Sequence, residues 1–206
     1  MKRIVPLARG AVATAVAVAV VSQFVLELDR SSFRPYRFFC FFTILSNIAA
    51  VAMLALLAVR PGLVSDRRVG RVRGAITLYM AVTGVVYAVL LAPSAADVGL
   101  TEPWVDTVVH VVAPIVVVAD WLLVTSSLRF SGAVLLAWLA FPLAYVTFAL
   151  VHGAVTDWYP YPFLDPGEAG GYAGVAVMSA VVLVAIVALA AAIRWWAART
   201  THAVAA

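Results

Sequence analysis

The sequence predicts an all-α integral membrane protein, a bundle of six transmembrane helices with both termini in the cytoplasm. Three observations carry the prediction. Of 206 residues, 65% are hydrophobic and 12% are charged, and the mean hydropathy is +1.06. A soluble domain carries about 25% charged residues, so this chain cannot cover a water-facing surface. Six stretches each approach the roughly 20 apolar residues that a spanning helix needs. Basic residues gather in alternate loops, as cytoplasmic loops require. No polar stretch is long enough for a soluble module, and residues 1–206 read as one transmembrane domain.

The first span, about Ile4–Leu26, follows Lys2 and Arg3 and is a long Ala/Val run. A basic start before an apolar run also describes a secretory signal. The run ends in Gln23-Phe24 with no Ala-x-Ala-like cleavage site, so it reads as a retained helix. The second span is expected at about Tyr36–Val59 and the third at about Gly74–Leu91, after an arginine-rich loop. The fourth covers about Trp104–Thr125, the fifth Gly132–His152 and the sixth Gly171–Trp195. Short segments rich in Pro, Gly, Arg and acids separate them and read as turns. Trp104, Trp158, Tyr159 and Tyr161 on one side, and Trp195 and Trp196 on the other, suit interfacial belts.

Eleven of the 14 basic residues fall on one side: Lys2, Arg3, Arg9, Arg60, Arg67, Arg68, Arg71, Arg73, Arg129, Arg194 and Arg199. Only Arg30, Arg34 and Arg37 fall on the other, together with Glu27, Asp29, Asp97, Glu102, Asp106, Asp157, Asp165 and Glu168. This distribution orients the chain N-in and C-in in the cell membrane. The net charge of +4 is therefore a topology signal and not a nucleic-acid footprint. A single cysteine, Cys40, leaves no internal disulfide and no multi-cysteine metal site. No cofactor or metal motif is present, and nothing in the sequence fixes an oligomeric state.

Polar side chains within a span are costly and are functional candidates. At 1.5 Å per residue, Thr43 lies about 10 Å down the second span and His110 about 9 Å down the fourth, from the same side. Ser46 and Asn47 follow Thr43 by one turn on the same face. Tyr87, Thr147 and His152 sit near the same level. Apart from Asp120, Tyr79 and a few hydroxyls, the other half of the bundle reads as hydrocarbon. The pattern suggests a polar pocket in the outer half, open to lipid and water. Each group also has a structural reading. Thr43 can bond the carbonyl of the preceding turn, Asn47 can glue two helices, and His152 is close enough to the interface to be solvated. Asp120 suits an ion pair with an arginine on the cytoplasmic side, and Pro114 can open the helix below His110. Asp106 precedes His110 by four residues, so it either holds the imidazole, as in hydrolase triads, or is an ordinary acid at the water boundary.

The run Phe41-Phe42-Thr43-Ile44-Leu45-Ser46-Asn47, with His110 on another of six spans, resembles the androgen-induced-gene family of membrane hydrolases. The resemblance is closest to that family's bacterial branch, which the segments Asp157-Trp158-Tyr159-Pro160-Tyr161-Pro162-Phe163-Leu164-Asp165 and Pro114…Asp120-Trp121 also resemble. It implies an intramembrane threonine hydrolase that cleaves fatty acid esters, in animal members those of hydroxy fatty acids. The roles of nucleophile and base then fall on Thr43 and His110. Asn47, Ser46 and Tyr87 are candidate donors to the oxyanion. The implied partner is a lipid or fatty acid ester within the bilayer. No Gly-x-Ser-x-Gly elbow is present, which excludes a familiar α/β-hydrolase.

Two other classes compete. His110 and His152 could ligate one haem, although no second histidine pair exists for an electron path across the membrane. A lipid-binding or transport protein without chemistry also fits six helices and a polar half-pocket, but a transport path should cross the whole membrane.

Overall fold

The computed structural model describes residues 4–31, 33–92, 102–124 and 128–203, with side chains as far as Arg199. Lys2, Arg3 and Asp97 of the charge count, and Thr125 at the expected end of the fourth span, lie outside the described residues. The described residues form helices and no strand. In chain order the helices are α1 (Ile4–Leu28), α2 (Pro35–Phe38), α3 (Phe42–Val59), α4 (Arg67–Val86), α5 (Pro103–Thr107), α6 (Ala113–Leu123), α7 (Gly132–Thr156) and α8 (Gly171–Ala203). Two π-helical segments interrupt them, Tyr87–Leu91 at the end of α4 and Val108–Val112 between α5 and α6. Counted as continuous rods, six helices are long and apolar enough to cross a membrane.

The second span departs from the sequence expectation. The helix predicted over Tyr36–Val59 is broken: α2 ends at Phe38, and Phe41 is extended at ψ 129° before α3 begins. Phe38, Phe39, Phe41 and Phe42 explain the break. Phe38 and Phe39 pack on Phe24 of α1, Phe41 on Trp158 and Tyr161, and Phe42 on Phe141 and Tyr145. Successive side chains of one helix fan out around its axis, so an unbroken helix could not aim these rings at such different neighbours. Thr43 is consequently the second residue of a helix and not a mid-span residue.

The third span starts earlier than Gly74. Asp66 caps it, its carboxylate accepting from the Arg68 and Val69 N–H groups at 2.9 Å, as an N-cap aspartate should. The arginine-rich stretch read as a loop is therefore the first turns of α4, and Arg73 points inward with only 4% exposure. The fifth and sixth spans also run on, to Thr156 and Ala203.

α3 packs between α1 and α4, while α4 also packs on α6 and α8. This leaves α3 and α4 the most enclosed spans and α7 and α8 the least. An apolar layer that includes Ala50, Met53, Leu54 and Met80 fills the middle of the bundle. Below it Asp120 has the arginine pairing that the sequence suggests, with two arginines in place of one. Arg9 bonds Asp120 at 2.8 Å, and Arg73 bonds the same carboxylate at 3.0 Å and the Asp120 and Val124 carbonyls at 2.6 and 3.0 Å. The Arg73 guanidinium also sits 5.0 Å from the centre of the Trp121 ring. These bonds tie α1, α4 and α6 together at one end of the bundle.

Candidate active site

At the other end, the break before α3 and the two π segments bring four side chains together. Thr43 Oγ1 lies 3.2 Å from His110 Nε2. His110 Nδ1 lies 2.8 Å from Asp106 Oδ1, and Asp106 Oδ2 accepts a short hydrogen bond from the Tyr87 hydroxyl. The Tyr87 ring stacks on the imidazole, with centroids 4.3 Å apart and planes 7° from parallel. His110 and Tyr87 both lie on π segments, which recur at functional sites because the extra residue redirects side chains. An ionised Asp106 only accepts, so a neutral His110 places its proton on Nδ1 and leaves Nε2 as the acceptor facing Thr43.

Thr43 and His110 are 6% and 4% exposed. Thr43 has no preceding helical turn whose carbonyl its hydroxyl could take. Its backbone N–H, one of those left over at a helix start, donates to the Tyr161 hydroxyl at 3.3 Å, and Tyr161 oxygen is also 3.4 Å from Thr43 Oγ1. Tyr161 belongs to the loop after α7, where the sequence suggests a belt residue. Its ring is buried instead, among Phe41, Tyr145 and Phe163. The loop is tied down one turn earlier, where the Tyr159 ring lies so close over Gly153 that a Cβ there would be 2.1 Å from it. Burial pushes the Tyr161 phenol above the ordinary tyrosine range, so it remains a neutral donor.

The other sequence candidates divide. Asn47 is fully buried, and its amide donates to the Thr43 and Val109 carbonyls at 2.9 and 3.1 Å. It clamps α3 to the segment that carries His110, and its donors are already used. The Tyr87 hydroxyl is likewise committed to Asp106. Ser46 is fully buried, and its hydroxyl has no partner among the described residues. Thr147 is exposed and bonds the Leu143 carbonyl at 3.0 Å. His152 interacts with Thr156 and the Trp158 carbonyl, and its ring packs against Tyr36, Phe148 and Trp158. Neither Thr147 nor His152 joins the Thr43 cluster. Both ring nitrogens of His110 are engaged by side chains, and the described residues hold no group of three or more metal-ligating side chains.

This cluster sits in a chain of recognisable descent. A family of FAR-17a/AIG1-like proteins matches residues 77–194, more than half of the chain. The chain belongs to the FAR-17a/AIG1-like family. The matched stretch holds Tyr87, Asp106, His110 and Tyr161, whereas Thr43 precedes it. No curated protein and no solved structure matches the chain. Family membership and six apolar helices together make it a multi-pass membrane protein.

Proposed function

We propose that this FAR-17a/AIG1-like protein is an intramembrane hydrolase of lipid esters, with Thr43 as nucleophile and His110 as general base. One observation carries the reading. A hydroxyl, an imidazole and a carboxylate form a chain of 3.2 and 2.8 Å contacts, with the hydroxyl and the imidazole buried, and that is the geometry of an activated nucleophile. Thr43 Oγ1 attacks the ester carbonyl carbon as its proton passes to His110 Nε2. Asp106 holds the imidazole by Nδ1 and stabilises the charge it gains. The tetrahedral oxyanion takes hydrogen bonds from the Tyr161 hydroxyl and from the Thr43 N–H, which turns to it from Tyr161; one such donor is worth about 3 kcal/mol. Collapse breaks the acyl C–O bond, and the alcohol leaves with the proton from His110. Water then attacks acyl-Thr43, with His110 again the base, and releases the fatty acid. Esters of hydroxy fatty acids are the substrates that the family resemblance implies.

The test is ester hydrolysis by the purified protein beside Thr43→Ala, with both thermal stabilities measured. The variant should lose hydrolysis and keep its melting temperature. A threonine that only packs would give the opposite result, a stability loss of about 0.5–3 kcal/mol with activity intact. The double variant Thr43→Ala/His110→Ala should be no slower than either single one, because the pair acts as a unit.

A further inference from the structure

Thr43 borders two cavities of different chemistry. One, of about 50 Å3, runs between α4, α7 and α8 and is lined by apolar side chains such as Val82 and Ile186. The other, of about 350 Å3, reaches Thr43 and His110 from the side of α1 and α2, and Arg30, Arg34, Arg37 and Glu27 line it. These arginines are the only three basic residues outside the cytoplasmic set, in a chain that is only 12% charged. All three line this one cavity.

The described side chains that line this vestibule do not balance in charge. Arg30 pairs with Glu27 at 3.5 Å. Among the described residues, Arg34 donates to the Ser31 and Phe33 carbonyls, at 3.4 and 3.3 Å. Arg37 uses its Nε on the Tyr36 hydroxyl at 3.3 Å, and its guanidinium lies 4.8 Å from the centre of the Trp158 ring. Among the described residues, the only carboxylate in salt-bridge contact with the three is Glu27. Among the described residues that line the cavity, three arginines against one carboxylate leave a surplus of two. A fatty acid carboxylate would cancel one. A phosphate monoester carries about −1.5 to −2 at neutral pH and three acceptor oxygens, and the arginine fork matches it with paired donors.

We propose that the vestibule is a phosphate subsite for the leaving half of the substrate, and that the acyl arm, with its ester carbonyl at Thr43, starts along the small apolar cavity and continues out of it into lipid. The substrate is then an acylated phospho-alcohol. Water cleaves its acyl C–O bond to give a fatty acid and a phosphorylated alcohol, and the phosphate ester bond stays intact. The acyl placement rests on the hydrolase reading, whereas binding of the anion does not.

The experiment titrates the wild-type protein, in neutral dodecyl maltoside micelles at pH 8, with dodecyl phosphate, dodecanoate and dodecanol, followed by calorimetry. None of the three is a carboxylic ester, so a failed hydrolase reading leaves the titration untouched. Dodecyl phosphate should bind at least about tenfold more tightly than either of the others, the worth of one charge-assisted hydrogen bond. Arg34→Gln with Arg37→Gln should remove that advantage and leave dodecanol binding unchanged, while Arg60→Gln at the other end of the bundle should change nothing. If the double variant does not fold, Arg34→Gln alone, at an exposed position, should still weaken dodecyl phosphate by about threefold or more. Dodecanoate or dodecanol binding as tightly as the phosphate would overturn the proposal. So would retention of phosphate affinity in the arginine variants.

Discussion

The Tyr161 hydroxyl stands 3.3 Å from the Thr43 nitrogen and 3.4 Å from Thr43 Oγ1, where an oxyanion on a carbonyl attacked by Thr43 would need a donor. Tyr161→Phe removes that donor and keeps the ring that packs on Phe41 and Phe163. Hydrolysis should therefore fall by about 10²–10³-fold, with thermal stability lower by only about 1 kcal/mol; kcat measured beside an unfolding curve separates the two. The pH profile follows from the same pair. In the proposed mechanism His110 accepts the Thr43 proton only when neutral, so activity should fall as pH drops and the ring protonates. Tyr161 donates only while protonated, and burial raises its pKa, which carries its working range upward. The rate should rise to a plateau that persists to at least about pH 9, short of the ordinary tyrosine value near 10. An alkaline limb below that pH would contradict the raised pKa of Tyr161.

At the scale of elements, the site depends on irregularities in otherwise regular helices. The extended Phe41 starts α3 afresh, so the Thr43 N–H has no helical carbonyl and donates to the Tyr161 hydroxyl instead. The π segment Val108–Val112 sets the rotation of His110 and Asp106 relative to α6. Deleting Val112 should convert that segment to α-helix and turn everything before it by about 100° relative to α6. Helix content by circular dichroism should stay the same while hydrolysis is lost. Full activity after the deletion would show that the π segment has no part in positioning His110.

Across the whole molecule, the two ends of the bundle have opposite tasks. One end holds the Thr43 cluster, and the other holds the Arg9–Asp120–Arg73 network under the apolar layer. Asp120→Ala would leave two buried guanidiniums without a counter-charge. It should destabilise the protein by about 3–5 kcal/mol, read from denaturant unfolding in detergent. Any fraction that stays folded should still hydrolyse esters, because the network touches none of the four site residues. Orientation is tested by cysteine accessibility in a Cys40→Ala background. An impermeant maleimide should label Glu168→Cys in intact cells and label Gly62→Cys only after the cells are opened. The reverse pattern would invert the N-in, C-in assignment.

From the sequence alone come the membrane class, the number of spans and the placing of Asp106 and His110 on one helix face; that the two bond is seen only in the structure. Each follows from local rules: apolar length against bilayer thickness, and a four-residue spacing that stacks side chains on one helix face. Depth alone brought Thr43 and His110 to one level, but rotation about the helix axis has no local signature. Tertiary structure decided that the two side chains meet, through the break after Phe38 and the π segment at Val108, because packing four neighbouring aromatic rings outweighs the continuity of one helix. It also decided the parts of Tyr161 and Arg73. A tyrosine between prolines reads as an interfacial anchor until Gly153 lets the Tyr159 ring settle and its loop fold inward. An arginine in a basic run reads as solvated until Asp120, 47 residues away in sequence, supplies the charge that makes its burial stable.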